Sequence, residues 1–282
     1  MVKGRIFTLI GAIGWGLSGA CGQYLMNDSA VSPIYLTALR MIIAGVFLTI
    51  LAFFKQPEQF NTLISTPKEM FQILYFGIFG LMLCQLTYLI AIHDSNAGTA
   101  TVLQYLCPVG ILAYTCIKDK VAPTVSEVCS MFLAIGGTFL IATHGQLNQL
   151  SMTPKGLLIG LFSAFTYSLY ILLPIDLIKK WGSMLVIGIG MTMAGILLFP
   201  FSGLIQHQWQ FRLDILFALL GIIVIGTIFA YTVFLKGTSL VGPVKSSLLA
   251  SIEPISAVFF AFLIMHEHFY ALDFLGMGMI LA

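Results

Sequence analysis

The feature that most constrains this sequence is a series of apolar runs, most about 20 residues long, that follow one another along the whole chain. A helix that crosses the ~30 Å hydrocarbon core of a bilayer needs roughly 20 mostly apolar residues. Charged residues, prolines and Asn/Asp/Ser clusters divide the chain into ten such runs. The predicted spans cover residues 5–26, 33–54, 70–92, 96–117, 124–143, 155–174, 182–204, 213–235, 239–264 and 270–282.

The composition is typical of a chain whose solvent is lipid. Hydrophobic residues make up 59% of the chain and charged residues 9%, whereas soluble domains carry about 25% charged residues. A soluble fold of this composition could not cover its core with polar surface. The net charge of +2 is small and scattered, and no basic run occurs. The sequence therefore does not indicate a nucleic-acid partner.

The motifs that usually accompany metals, disulfides or nucleotides do not occur in the sequence. The five cysteines form no CxxC pair, and the histidines show no HExxH spacing. No GxxxxGK[ST] loop occurs either, so ATP is not expected to drive this protein directly. We therefore expect no cofactor and no catalytic activity. An integral-membrane enzyme would need convergent ionisable groups, and these do not cluster along the sequence.

The distribution of basic residues predicts an orientation. With the N-terminus in the cytoplasm, Lys and Arg concentrate on the cytoplasmic side, as the positive-inside rule requires. That side collects Lys3, Arg5, Lys55, Lys68, Lys118, Lys120, Lys179, Lys180 and Lys236, and the outer side collects Lys155 and Arg212. Arg40 and Lys245 lie within spans. The last run has 13 residues, which is too short to cross, and we expect a truncated final helix.

The chain also reads as two related halves. Trp15 in the first span has a counterpart, Tyr167, in the sixth, and residues 98–108 parallel residues 244–254, each a stretch rich in small residues that ends in proline. Five spans per half is an odd number, so the second copy must be inverted in the membrane. Inverted repeats are a common plan of secondary transporters. The predicted repeats are residues 1–145 and 146–282.

These residues resemble the EamA branch of the drug/metabolite transporter superfamily, and most closely its bacterial inner-membrane members. The resemblance is carried by Trp15-Gly16, Leu39-Arg40, Glu253-Pro254, His266-Glu267 and Gly276. It implies ten helices, cytoplasmic termini and a central cavity between the halves. It also implies location in the bacterial cytoplasmic membrane and movement of amino acids, metabolites, cations or drugs.

Glu253 is the sharpest single feature, because it lies near mid-depth of the ninth span. A carboxylate there costs roughly 2.5–3.5 kcal/mol on insertion scales, so it must face the interior, pair, or stay protonated. One interpretation is a group that couples transport to protons or binds a cation. The other is a structural carboxyl that hydrogen-bonds beside the kink at Pro254.

The remaining candidate site residues also have two interpretations each. Arg40 could extend to the interface, bind an anionic substrate group or pair with a carboxylate. Trp15, Tyr105 and Tyr167 could wall a substrate site or simply pack. Gln104 could orient a ligand or hold helices together.

The leading hypothesis is a permease that moves a small organic metabolite, amino-acid-like compound or drug by alternating access, more often outward than inward. An uptake permease is the alternative, and a channel, scaffold or enzyme is a different class. The expected partners are the lipid bilayer and a small-molecule substrate, and the short loops leave room for a homodimer.

Overall fold

The structure is a computed structural model that describes residues 2–29, 31–94, 100, 103–143, 154–205, 212–265 and 270–281. Within these ranges every regular element is helical and no strand occurs. The all-helical class predicted from the sequence is therefore confirmed for the described residues.

The helices divide at the gap between residues 143 and 154. The helices before it are α1 (Val2–Ser29), α2 (Pro33–Lys55), α3 (Pro57–Ile64), α4 (Pro67–Asp94), α5 (Cys107–Asp119) and α6 (Val125–Thr143). The helices after it are α7 (Pro154–Trp181), α8 (Ser183–Phe201), α9 (Leu213–Val241), α10 (Pro243–Leu249), α11 (Ile252–Met265) and α12 (Ala271–Leu281).

Seven of the described stretches are long and apolar enough to cross a membrane. They are α1, α2, α4, α7, α8, α9 and the stretch Pro243–Ile264, which joins α10 to α11. Val125–Leu140 and Ala271–Leu281 are shorter apolar helices. Part of the predicted fourth span, 96–117, lies outside the described residues, and α5 covers its second part. The chain is therefore an integral, multi-pass membrane protein.

Local sequence signals set where helices begin. Ser32 caps α2, because its side-chain oxygen accepts a hydrogen bond from the amide of Tyr35 at 3.1 Å, and Pro33 occupies the first helical position. Thr124 and Glu127 form a reciprocal capping box before α6. The Thr124 amide donates to the Glu127 carboxylate at 2.9 Å, and the Glu127 amide donates to the Thr124 hydroxyl at 3.3 Å.

Several long helices depart from regular α geometry. A π-helical segment, Phe76–Met82, lies inside α4, and a second, Gly221–Phe229, lies inside α9. Turns at 105–106 and at 250–251 precede α5 and α11. Such irregular backbone is tolerated at membrane depth where it is buried in protein or lines a cavity.

Helices from the two parts of the chain pack mainly on each other. α1 packs along α9 and α11, α2 along α8, α4 along α7 and α8, and α6 along α12. The interface is therefore formed between the parts, and it contains the buried core around Trp15, Met41, Phe76 and Tyr170.

Glycines allow α2 and α8 to approach closely. A Cβ atom on Gly45 would lie 2.5 Å from the backbone nitrogen of Thr192, and one on Gly188 would lie 2.9 Å from the nitrogen of Thr49. The hydroxyls of Thr49 and Thr192 are 3.1 Å apart across the same crossing. Small residues and interhelical hydrogen bonds of this kind hold membrane helices together.

The outward-facing surface of the bundle is apolar. Large side chains are about two-thirds exposed or more, as in Phe54, Phe71, Phe132 and Phe217 at 74%, 68%, 67% and 68%. Soluble proteins rarely expose contiguous apolar surface on this scale. Lipid tails are the medium that such a surface fits.

Candidate functional site

A cavity of about 50 Å³ lies where the two parts of the chain meet. Its lining comes from α1, α2, α4, α7, α9 and α11, together with the segment before α5. The lining residues are Trp15, Ser18, Gly19, Arg40, Cys84, Gln85, Tyr88, Leu89, Gln104, Tyr167, Tyr170, Tyr231 and Glu253. A water molecule needs roughly 10–15 Å³ of such space, so the cavity in this conformation has room for a few water molecules.

Two larger clefts lie away from this centre. One of about 460 Å³ is at the helix ends around Glu69 and Lys180. The other, of about 420 Å³, is a mostly apolar groove between α5 and α7 whose wall includes the exposed Tyr114 and Phe165. Neither combines buried charge with convergent polar groups, which is what marks a small-molecule site.

The structure brings together all six site residues predicted from the sequence. Trp15, Arg40, Gln104, Tyr167 and Glu253 line the cavity, and Tyr105 lies directly behind it, bonded to Glu253. They come from five separate segments in both parts of the chain, with the neighbours Gln104 and Tyr105 sharing the segment before α5. Their roles as substrate or coupling groups stay predictions.

Glu253 lies in the first turn of α11, just after the turn at 250–251, and is 7% exposed. Tyr105, in the turn at 105–106, donates its hydroxyl hydrogen towards the Glu253 carboxyl at 3.1 Å and towards the carbonyl of Ala250. The two helix interruptions thus meet through one side chain. Because a tyrosine hydroxyl has a single hydrogen, it cannot fully satisfy both acceptors.

Arg40 lies inside the bundle rather than at its surface, with 6% of the residue exposed. One terminal nitrogen donates to the hydroxyl of Tyr231 at 3.2 Å, and the guanidinium carbon lies 5.6 Å from the Tyr231 ring centroid. The Nε atom has no hydrogen-bond partner in the described part of the chain.

Aromatic rings form one wall of the cavity. The Trp15 ring contacts those of Tyr167, Tyr170 and Tyr231 at centroid distances of 6.0, 5.8 and 5.1 Å, all edge-on. Among the described residues, Trp15 Nε1 and the hydroxyls of Tyr167 and Tyr170 find no hydrogen-bond partner. Buried tyrosine and tryptophan normally use their polar atoms, so these three groups are available to a ligand or to water.

Amide side chains complete the polar lining. Gln104 donates to the hydroxyl of Ser163 at 2.9 Å, which holds the segment before α5 against α7. Gln85 is 2% exposed, and neither its Nε2 nor its Oε1 has a partner within the described ranges. Gln85 therefore has more unused hydrogen-bonding capacity than Gln104.

Tyr231 is the principal member of the site that sequence reasoning missed. It lies in a continuous apolar run, and it reaches the cavity from α9 just after the π-helical segment. The one available signal was an aromatic side chain with a polar tip inside an otherwise aliphatic span. No group of three or more potential metal ligands occurs among the described residues.

Comparisons with known proteins agree with this architecture. A sequence model of the EamA-like transporter family matches residues 2–143 and again residues 154–282. A solved crystal structure superposes with a TM-score of 0.76 at 18% identity, covering 98% of this chain and 93% of that one, which shows a shared fold.

Two curated relatives extend over nearly the whole chain. The uncharacterized inner membrane transporter YicL of Salmonella typhimurium is 34% identical over 280 residues, covering 99% of this chain and 93% of that protein. The uncharacterized transporter YcbK of Bacillus subtilis is 19% identical over 98% of this chain and 89% of its own length. With a family match over both parts of the sequence and a full-length relative, this chain belongs to the EamA-like transporter family.

Proposed function

We propose that this protein is a secondary active permease that moves a small organic molecule across the cytoplasmic membrane by alternating access, with export as its main direction. The substrate is a metabolite, an amino-acid-like compound or a drug. One observation carries the proposal: a cavity between the two parts of the chain combines a buried cation, a buried carboxyl and unpartnered polar atoms. Packing alone does not require that combination, because unpaired buried polar groups are costly.

The proposed architecture is two inverted repeats of five helices, residues 1–145 and 146–282. The packing supports it, because helices that contact each other have counterparts in the other half that also contact each other. α1 corresponds to α7 and α4 to α9, so the contact of α1 with α9 becomes that of α7 with α4. α2 packs on its counterpart α8, and α6 on its counterpart α12, as elements beside a two-fold axis would. Transporters built this way bind substrate near the midplane, at discontinuous helices.

The corresponding irregularities of the two halves support the same assignment. Both α4 and α9 contain a π-helical segment, and both Tyr105 and Ala250 lie in turns that interrupt the predicted fourth and ninth spans. The hydrogen bond from Tyr105 to Ala250 joins the two turns beside the cavity. The bias of Lys and Arg towards one side supports cytoplasmic termini.

Proton coupling through Glu253 is the energetic part of the proposal. A proton on Glu253 would remove a charge that is costly to bury. It would also let Glu253 donate to the Tyr105 oxygen while Tyr105 donates to Ala250, so that every group has a partner. A carboxyl that exchanges its proton when the cavity opens to either side can link substrate movement to the proton gradient.

The test is flux in proteoliposomes. A thermal-stability screen of amino acids, carboxylic acids, polyamines and cationic dyes identifies a ligand, because a molecule that binds the native state raises Tm by mass action. The radiolabelled hit is then followed with and without a pH gradient. In the parent protein we expect saturable flux that the pH gradient accelerates. In Glu253→Gln we expect saturable flux whose rate does not depend on the pH gradient.

Glu58→Gln is the matched control, since Glu58 is exposed on α3. It should behave like the parent protein. Unchanged gradient dependence in Glu253→Gln would end the coupling proposal. Flux that does not saturate would indicate a channel, and no flux for any stabilising ligand would remove the transport proposal. Flux only into the compartment that corresponds to the cytoplasm would favour the uptake alternative.

A further inference from the structure

Arg40 is a buried cation with no anionic partner among the described residues. It is 6% exposed, and its one hydrogen bond is to the neutral hydroxyl of Tyr231. No described carboxylate lies within 4.0 Å of the guanidinium, although ion pairs occur elsewhere on the described helices. A buried charge without a partner is strongly destabilising.

Glu253 and Arg40 both line the cavity, but no ion pair within 4.0 Å joins them. The Glu253 carboxyl instead accepts a hydrogen bond from the hydroxyl of Tyr105 at 3.1 Å. Arg40 is itself a lining residue of the cavity, and its Nε atom is one of the donors without a partner in the described part of the chain.

Other groups that line the same cavity also have unused hydrogen-bonding capacity. Both polar atoms of Gln85 are unpartnered, and so is the indole nitrogen of Trp15, which can only donate. The rings of Trp15, Tyr167 and Tyr170 also line the cavity and pack against one another. A cavity lined by one fixed positive charge, unpartnered donors and aromatic rings complements an anionic head group on an apolar or aromatic body.

We propose that Arg40 and Gln85 form an anion-binding subsite, and that the transported molecule carries a carboxylate that binds there. This inference rests on the proposed function and specifies its substrate class. The planar guanidinium presents a fork that matches a carboxylate in two parallel hydrogen bonds. A single fixed cation in a cavity of about 50 Å³ matches one monoanionic group. A phosphate dianion would need a second positive charge, which the described lining residues do not supply.

The test uses probes that share a body and differ in the head group. The pairs are benzoate and benzamide, phenylacetate and phenylacetamide, and phenylalanine and phenylalaninamide, with phenethylamine as a cation lacking the carboxylate. Binding to the purified full-length protein is measured by the shift in Tm and by titration calorimetry. We expect at least one carboxylate to bind about tenfold or more tightly than its amide, since hydrogen bonds to charged groups are worth more than neutral ones.

Variants of Arg40 then locate the subsite. Arg40→Gln should abolish the preference of the carboxylate over its amide, and Arg40→Lys should retain it in part, because it keeps the charge but lacks the fork. Arg5→Gln, which removes an exposed arginine of α1, should leave the preference intact. Arg40→Lys also guards against a folding defect, because it can be compared with the parent protein at matched Tm.

The inference is overturned if no carboxylate exceeds its amide, if phenethylamine binds best, or if Arg40→Gln keeps the preference. Radiolabelled flux separates this failure from failure of the proposed function. Transport of an amide or amine without carboxylate preference would leave the permease intact and remove the subsite. Carboxylate binding that depends on Arg40, with no flux, would keep the subsite and remove the permease.

Discussion

At the residue scale, Tyr105 joins parts of the protein that are far apart in sequence. Its side chain is 1% exposed, and its hydroxyl contacts both the carbonyl of Ala250 and the carboxyl of Glu253. Those acceptors belong to the turn at 250–251 and to the helix that follows it. One hydroxyl therefore holds the two interrupted spans in register beside the cavity.

Replacement of Tyr105 by Phe should destabilise the protein by about 1–3 kcal/mol, because the Ala250 carbonyl and the Glu253 carboxyl lose the buried hydroxyl that they share. The expected result is a lower Tm in detergent. Glu253→Gln should also change the Tm less in the Tyr105→Phe background than in the parent protein. Tyr114→Phe is the control, since Tyr114 is 49% exposed on α5, and surface changes usually stay within about 0.5 kcal/mol. Equal Tm values for the two variants would show that the Tyr105 hydroxyl contributes nothing.

Gly19 makes a different kind of prediction at this scale. It lines the cavity, and no atom lies within 4 Å of where its Cβ would be. Gly19→Leu should therefore fill the cavity and stop flux while the Tm stays near that of the parent protein. Gly278→Leu, also at an open position, should keep both flux and Tm. Normal flux in Gly19→Leu would place the substrate path elsewhere.

At the element scale, the crossing of α2 and α8 depends on the absence of side chains at a few positions. Gly45 and Gly188 each bring the backbone of one helix against the other, and the hydroxyls of Thr49 and Thr192 bond between them. The contact joins the two parts of the chain, so its tightness bears on how the parts can move.

Gly45→Ala should lower stability by about 1–3 kcal/mol, the usual range for overpacking, because its methyl group would lie 2.5 Å from a backbone nitrogen. Gly278→Ala in α12 meets no atom within 4 Å and replaces glycine by a better helix former, so it should be neutral or slightly stabilising. Thermal unfolding in one detergent distinguishes the two. If Gly45→Ala left the Tm unchanged, α2 and α8 could move apart at this crossing without loss of stability.

At the scale of the whole molecule, ion pairs join the two parts of the chain at both ends of the bundle. Glu69, in the first turn of α4, bonds to Lys180 and Trp181 of α7. Asp94, at the last turn of α4, pairs with Lys155 at 2.8 Å. Asp28, at the end of α1, pairs with Arg212 at 2.9 Å. Under alternating access, the pairs at one end must separate while those at the other end hold.

Locking one end should therefore stop transport. In a background without Cys116 and Cys129, the less buried cysteines, Glu69→Cys and Lys180→Cys are joined by a cleavable bismaleimide. We expect nearly complete loss of flux after crosslinking and recovery after reduction, with each single variant unaffected by the reagent. Crosslinked protein that transports at the parent rate would show that this end does not open.

The sequence predicts the features that depend on neighbouring residues and misses those that depend on distant ones. Run length and composition are local, so the all-helical class and the membrane location could be predicted. Glu253, Arg40 and Gln104 stand out because polar groups at membrane depth are costly. The approach of Tyr231 to Arg40 and the free amide of Gln85 could not be predicted, because each depends on how α4 and α9 turn after their π-helical segments.

Those π-helical segments have a mechanical consequence. A π turn accommodates an additional residue compared with an α turn. It therefore changes the angle at which the residues after it project from the helix axis. Cys84 and Gln85 follow Phe76–Met82, and Tyr231 follows Gly221–Phe229. If either segment tightened into ordinary α-helix, these side chains would swing around their helix axes and leave the cavity wall. The lining could therefore be reshaped by rolling two helices in place, without tilting any of them.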